Sequence, residues 1–260
     1  MTISLLPDEF DERVNAAVRA FWAGRSGALG ERKQGGARDN VVGGQNMNGF
    51  IHLVERVATH CGLPADAVHR NKGKVALPGF FRATKDWDAI VIHKQRLLGV
   101  FEFKSQVGSF GNNFNNRSEE VIGSAADLWV AHHQGAYGHR PAQRTDIGEE
   151  SPAMLNPIYQ ADPRPPFVGW LMLLEESERS LTPVRCAEPH FPVFPEFNGA
   201  SYARRYQLLC ERLVERRLYS AAALELSVAG TESCRPLSAA TSIRNLFAEF
   251  AGRVLAARET

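Results

Sequence analysis

The chain has 260 residues, of which 44% are hydrophobic and 23% charged, and its 30 basic and 29 acidic residues give a net charge of +1. This balance is typical of a globular domain and excludes a histone-like protein that binds nucleic acid through basic tails, but it allows a nucleic-acid enzyme with locally clustered charges. The chain has no apolar run of the roughly 20 residues that a membrane span needs and no secretory signal, so we expect a cytoplasmic protein. Its four cysteines show no CxxC spacing, and we expect free thiols. The length suits a single domain over residues 1–260.

Two amphipathic helices are expected in the first quarter of the chain. Residues 8–22 and about 45–60 place apolar side chains at helical spacing, and Gly62 follows the second run as a stop signal. Residues 23–44 between them are rich in glycine, arginine and lysine, which predicts a flexible basic loop.

The following part of the chain predicts two antiparallel strands. Residues 88–92 (DAIVI) and 97–104 (LLGVFEFK) are β-branched or apolar, and the polar residues 93–96 between them indicate a short turn. The remaining expected elements are, in order, a polar Gly/Asn/Ser segment at 105–116, a helix at 117–131, an irregular insertion at 135–165, a buried strand at 167–174, a second irregular insertion at 183–198, and helices at about 200–217 and 238–257. This order predicts an α/β fold with a mixed central β-sheet flanked by helices.

Charged side chains converge at the end of the second predicted strand. Side chains two residues apart on a strand share a face, so Glu102 and Lys104 point the same way while Phe101 and Phe103 point into apolar packing. If Asp88 pairs directly with Glu102, the turn is centred at residue 95, inside the polar segment. Two neighbouring carboxylates repel each other unless a cation lies between them, and oxygen ligands of this kind suit Mg²⁺.

This cluster predicts metal-assisted hydrolysis of a phosphodiester. Asp88 and Glu102 are the expected Mg²⁺ ligands, and Lys104 is expected to position a water or to stabilise the charge that develops on the phosphate. Asp86 has the same parity and competes for the ligand position, although Asp88 directly adjoins the strand. The structural alternative is a solvated Glu-x-Lys pair at the end of a strand.

The polar segment after the second strand is the candidate for base recognition. Asn and Gln side chains pair with adenine edges and Arg with guanine edges, and this segment leaves directly from the charged strand. A cluster of Asn/Gly turns explains the same composition equally well. The candidate DNA-binding residues are Gln106, Ser109, Asn112, Asn113, Asn115, Asn116 and Arg117.

Two helices carry further candidates. Glu55 on the second helix is a candidate accessory acid, although a solvated position on the helix face is favoured. The predicted helix at 200–217 is a candidate dimer or DNA surface, with a solvated amphipathic face slightly favoured; its basic residues are Arg204, Arg205, Arg212, Arg216 and Arg217.

Three stretches resemble the XhoI/PaeR7I family of type II restriction endonucleases, within the PD-(D/E)xK nuclease superfamily: GGQNMNGF at 43–50, KDWDAIV at 85–91 and FEFKSQVGSFGNNFNNRSEEVIGSA at 101–125. The resemblance extends from about residue 10 to 250 and assigns the superfamily's catalytic residues to Asp88, Glu102 and Lys104, with Trp87 in place of the usual proline. It implies a homodimer that cuts double-stranded DNA at the palindrome CTCGAG with Mg²⁺, and a companion DNA methyltransferase. We expect the basic loop at 23–44 to become ordered on DNA.

Three other functions remain open from the residues alone. A repair nuclease or junction resolvase of the same fold would share the catalytic residues without strict sequence specificity. A DNA-binding module would use the same surface without cleavage. A histidine-metal nuclease would be built around His132, His133 and His139.

Overall fold

A computed structural model describes residues 4–30, 47–138, 164–187 and 190–258. The elements within these ranges are α1 (Phe10–Gly30), α2 (Asn48–His60), β1 (Val68–His69), β2 (Ala76–Pro78), β3 (Thr84–Asp86), β4 (Ala89–His93), β5 (Arg96–Gln106), α3 (Phe110–His133), β6 (Phe167–Glu175), α4 (Glu178–Leu181), α5 (Tyr202–Glu215), β7 (Ala221–Ser227), β8 (Arg235–Pro236) and α6 (Ile243–Arg258).

A six-stranded mixed sheet with the order β1-β4-β5-β6-β7-β8 forms the centre of the fold, and β2 and β3 form a separate hairpin. Strands β5, β6 and β7 are mutually parallel, whereas β1, β4 and β8 run antiparallel to their neighbours. The predicted α/β class with a mixed central sheet is therefore confirmed. The parallel strands β6 and β7 are almost wholly buried, as expected when helices cover both faces of a sheet.

Each face of the sheet has its own apolar core. Side chains of α1, α2 and α6 pack on one face together with Phe101 and Phe103 of β5. Side chains of α3 and α5 pack on the other face together with Val100 and Trp170. Because Glu102 alternates with Phe101 and Phe103 along β5, its carboxylate lies on the face that α3 and α5 cover.

Strand β7 is an element that the sequence pattern did not predict. Its sequence, AAALELS, contains three consecutive alanines, which have low β propensity. Every residue of β7 is nevertheless buried, because the strand lies between β6 and β8 inside the sheet. Tertiary burial therefore overrides local propensity in this segment.

Two helices are longer than predicted. Helix α1 continues to Gly30, so the expected loop at 23–44 is wrong over residues 23–30, and residues 31–44 lie outside the described residues. Helix α3 begins at Phe110, so the expected irregular segment at 105–116 is helical from that residue. Phe110 and Phe114 explain the extension, because they lie one turn apart and pack against Tyr202 and Tyr206 of α5.

The predicted insertions are described only in part. Residues 183–198 are irregular apart from a single 3₁₀ turn at Pro195–Phe197 within the described positions, which confirms the expectation there. Residues 139–163 of the insertion expected at 135–165 lie outside the described ranges. None of the described helices has both the length and the apolarity that a bilayer crossing requires.

A buried acid links the sheet to the last helix. Glu225 of β7 is 1% exposed, and its Oε1 accepts a hydrogen bond of 2.7 Å from the backbone N–H of Ile243, the first residue of α6. Burial raises the pKa of Glu225 to about 7, although this bond and the Cys234 thiol act in the opposite direction. Desolvation therefore outweighs the favourable position at a helix N-terminus.

The raised pKa of Glu225 predicts a pH-dependent stability. Since the folded protein holds this proton more tightly, the unfolded chain loses it first as the pH rises above 4.5, and the free energy of unfolding falls until the pH passes about 7. Denaturant titration at each pH gives the free energy of unfolding of Glu225→Gln and of the parent. The difference between them should change in favour of the variant by on the order of 3 kcal/mol between pH 5 and pH 8. The exposed control Glu12→Gln should show no such gain, and parallel pH profiles for Glu225→Gln and the parent would contradict the assignment.

Candidate active site

The β4–β5 hairpin has the predicted register at its open end. Ala89 pairs with Phe101 and Ile90 with Val100, which places Asp88 opposite Glu102. The backbone N–H of Asp88 donates to the carbonyl of Phe101 at 3.0 Å, extending the ladder by one residue.

A bulge separates this end from the turn. Between Val91 and Ile92 the pairing shifts by one residue, and the turn residues Lys94 and Gln95 have φ values of 48° and 61°, as in a two-residue type I′ turn. Simple alternation along β5 predicts that Leu97 shares the face of Phe101, but the bulge turns Leu97 toward the opposite core.

The carboxylate of Glu102 lies at the centre of the charged cluster. Its residue is 2% exposed, and Oε1 is 3.0 Å from both the Lys85 and the Lys104 ammonium nitrogens. Oε2 is also buried, but no described group gives it a hydrogen bond. Because an unpaired buried carboxylate oxygen is costly, this atom is the clearest sign of a ligand that the protein is built to bind.

Asp88 completes the acidic pair. Its Oδ2 accepts a hydrogen bond of 2.6 Å from the backbone N–H of Phe103, the residue after Glu102. Burial raises the pKa of Asp88 and the neighbouring Glu102 adds to the rise, whereas the Phe103 N–H and the two lysines oppose it. The two carboxylates therefore repel each other in a half-buried site, as a cation site requires.

Lys104 is held as an ammonium group between two acids. Its Nζ lies 3.0 Å from Glu102 and 2.8 Å from Oε1 of Glu120 on α3. Burial alone would lower the pKa of Lys104, but the two glutamates outweigh burial and raise it. Oε2 of Glu120 in turn lies 2.6 Å from Nη1 of Arg117.

Lys85 and Glu120 are parts of this cluster that the sequence analysis missed. Lys85 lies on β3, one strand before the predicted hairpin, and its ammonium also lies 4.6 Å from the centroid of the Trp87 ring. Glu120 lies on the part of α3 that was predicted to be helical, but periodicity cannot show which face of a helix meets a strand. No local signal includes Lys85, because β3 belongs to a hairpin separate from the central sheet, so strand alternation does not continue from β3 into β4.

The structure separates the two competing aspartates. Asp86 is exposed on β3, where its backbone pairs with Ala76. Asp88 lies beside Glu102 and Lys104, so the three residues selected from the sequence come together on one face of the sheet.

The candidate DNA-binding residues fall into three groups. Gln106 is buried, and its amide donates to the carbonyl of Gly108, so it holds the turn after β5 and is not presented to solvent. Arg117 is paired with Glu120. The remaining candidates lie at the start of α3, where Asn113 is half-buried and the exposed residues are Ser109, Asn112, Asn115 and Asn116.

Glu55 and the histidines lie away from the cluster. Glu55 lies 3.6 Å from His52 and 3.7 Å from Arg70, on a helix that packs against the opposite face of the sheet. His132 and His133 contact Trp129 at the end of α3, and His139 lies outside the described residues. Within the described ranges no three His, Cys, Asp or Glu side chains are grouped to hold a metal.

The arginines of α5 mainly hold the irregular segment before it. Arg205 donates to the carbonyls of Ala200 and Val184, and Arg212 lies 4.8 Å from the centroid of the Phe197 ring. Arg204 and Arg216 pair with glutamates of their own helix. These contacts agree with an amphipathic helix that packs within the chain.

The residues present fit a divalent ion that binds through oxygen. Asp88 and Glu102 offer adjacent carboxylates, and Glu102 Oε2 lacks a hydrogen bond from any described group. Mg²⁺ is commonly bound by only one or two carboxylates, with waters and substrate phosphate in its other positions, so a two-acid site is sufficient.

Comparisons with known proteins agree on one family. The model of the family "Restriction endonuclease XhoI" matches residues 26–147 and 152–238. The chain is 44% identical to the type II restriction enzyme XhoI of Xanthomonas vasicola over 211 residues, which are 79% of this chain and 76% of the relative. It is 40% identical to BstVI of Geobacillus stearothermophilus over 201 residues (75% and 79%) and 38% identical to AbrI of Azospirillum brasilense over 188 residues (70% and 74%), both named type II restriction enzymes. No solved structure was found to match the chain.

Proposed function

The chain belongs to the XhoI family of type II restriction endonucleases, and we propose that it makes Mg²⁺-dependent double-strand cuts in DNA at CTCGAG. The palindrome is the one that the family resemblance of its sequence implies. The observation that carries the catalytic part of the proposal is the buried, unpartnered oxygen of Glu102 beside Asp88 and Lys104.

Asp88 and Glu102 are the proposed metal ligands. Glu102 Oε2 is the atom available for this role, because Oε1 is engaged by two ammonium groups. A divalent ion held there would polarise a phosphoryl oxygen and lower the pKa of a nearby water. The backbone N–H of Phe103 fixes the Asp88 carboxylate, so the two acids are oriented before any ligand binds.

Lys104 is proposed to stabilise the phosphate under attack. The carboxylates of Glu102 and Glu120 raise the pKa of Lys104 and favour its ammonium form. From its position between Glu102 and Glu120 the ammonium can donate a hydrogen bond to a phosphate oxygen or to the attacking water. Glu120 acts through Lys104 and is a positioning residue.

The charge balance of the cluster supports the need for a cation. Three carboxylates face three basic groups; they are Asp88, Glu102, Glu120, Lys85, Lys104 and Arg117. The cluster is therefore close to neutral by itself. A divalent ion would give it the excess positive charge that a dianionic transition state of phosphodiester hydrolysis requires.

A palindromic target fits a two-fold dimer. One subunit reads each half-site and one active site cuts each strand, so we propose a homodimer on double-stranded DNA. The exposed amides of Asn112, Asn115 and Asn116 at the start of α3 are candidate base contacts, because only a short turn separates α3 from the strand that carries Glu102 and Lys104. A companion DNA methyltransferase would protect the same sequence in the host.

Digestion of a plasmid of known sequence tests the proposed function. With Mg²⁺ the protein should give discrete fragments whose ends map to CTCGAG. Asp88→Asn, Glu102→Gln and Lys104→Ala should each slow cleavage at least about a hundredfold, since each removes charge stabilisation at the phosphate. Asp86→Asn is the matched control and should cut normally.

Two other results of this digest would reject the proposal. A smear, or single-strand nicks without discrete fragments, would indicate a repair nuclease or resolvase. No Mg²⁺-dependent cleavage of a plasmid that contains CTCGAG would indicate a binding module.

Glu120→Gln tests the positioning of Lys104. Loss of the 2.8 Å ion pair leaves the ammonium with Glu102 alone, so we expect kcat to fall about tenfold while KM for DNA stays within a factor of about two. Glu119→Gln, the exposed neighbouring residue, is the control and should match the parent enzyme. A rise in KM with unchanged kcat would instead assign Glu120 to DNA binding.

A further inference from the structure

The tip of the β2–β3 hairpin presents two aromatic rings to solvent. Phe80 is 53% exposed and Phe81 is 73% exposed, and their rings meet edge to face with centroids 5.0 Å apart. An exposed pair of large apolar side chains on a short turn marks a candidate interaction site.

A buried aspartate of α3 holds this tip in one conformation. Oδ1 of Asp127 accepts hydrogen bonds of 2.7 Å from the backbone N–H groups of both Phe80 and Phe81, and Oδ2 accepts one of 2.6 Å from Arg82. A side chain at Gly79 would place its Cβ 2.8 Å from the Arg82 carbonyl, so the turn closes tightly around the carboxylate. The rings are therefore displayed on a rigid support, which reduces the entropy cost of binding.

The same helix connects the tip to the active site. Asp127 follows Glu120 by seven residues, which is two turns on one face of α3 and a distance of about 10 Å. Glu120 holds Lys104, while Lys85 at the base of the same hairpin holds Glu102. The pKa of the intervening Tyr219, raised mainly by burial, is influenced by Glu102, Glu120 and Arg82 together, which agrees with one contiguous region.

The segment that leads into the hairpin is basic. Residues 70–85 contain five lysines and arginines and no acidic residue. Arg70, Arg82 and Lys85 pair with Glu55, Asp127 and Glu102, whereas Lys72 and Lys74 are exposed and give the segment an outward positive charge. A polyanion is the partner that this charge pattern complements. An apolar protein surface would not need it.

We propose that the β2–β3 hairpin is a DNA wedge, in which Phe80 and Phe81 insert between stacked bases while Arg82 and the basic residues before the hairpin contact phosphates. The proposal rests on the proposed nuclease function. Because Asp127 holds the tip and Glu120 holds Lys104 on the same helix, the tip would meet the DNA near the phosphate to be cut. Insertion of apolar side chains unstacks such a step, and the rings recover part of that cost by stacking on the bases.

Base-specific fluorescence tests the wedge. A set of duplexes containing CTCGAG, each with one 2-aminopurine at a different position in or beside the site, is bound with Mg²⁺ to full-length protein carrying Lys104→Ala to prevent cleavage. We expect 2-aminopurine fluorescence to rise severalfold at one step and its symmetry mate only. Adding Phe80→Ala and Phe81→Ala should abolish the rise and weaken binding about tenfold or more.

Phe191→Ala is the matched control, because Phe191 is 85% exposed but lies outside the hairpin. This variant should keep both the fluorescence rise and the affinity. Unchanged fluorescence at every position, or an equal rise with the double Phe variant, would overturn the wedge. Sedimentation provides a further test. If the double variant no longer forms dimers but keeps the fluorescence pattern, the rings belong to a subunit interface and the wedge is wrong.

A parallel digest separates failure of the wedge from failure of the function. If the protein with its native residues at 80, 81 and 104 does not cut at CTCGAG, the nuclease proposal itself fails. If that protein cuts there and the double Phe variant cuts with the same kcat/KM, only the wedge is wrong.

Discussion

The buried carboxylate of Glu102 is the constraint around which the site is organised. A charge that is 2% exposed is tolerated only when cations compensate it, and Lys85 and Lys104 both approach one of its oxygens at 3.0 Å. The second oxygen is buried without a hydrogen bond from any described group. The protein thus stabilises the charge and leaves one coordination position of the carboxylate available.

The fold brings these groups together from four separate elements. Strand β5 carries Glu102 and Lys104, the residue before β4 supplies Asp88, β3 supplies Lys85, and α3 supplies Glu120. Helix α3 has a double role, since it holds Lys104 through Glu120 and the β2–β3 tip through Asp127.

Sequence patterns predicted the parts of the site that depend on local periodicity. The alternation along β5 and the pairing of Asp88 with Glu102 follow from strand geometry, and the observed register agrees. Lys85 and Glu120 were missed because they reach the site by tertiary packing, which periodicity does not encode. Strand β7 and the early start of α3 were missed for the same reason: burial in the sheet and contacts with α5 outweigh the propensities of alanine and asparagine.

The most direct test of the central claim is a crystal structure of the protein with DNA and Mn²⁺, in which anomalous scattering locates the ion. We expect an ion coordinated by Asp88 and by Oε2 of Glu102 at about 2.1 Å, with Lys104 still beside Oε1. An ion bound elsewhere, or one coordinated by neither carboxylate while the DNA is cut in the crystal, would contradict it.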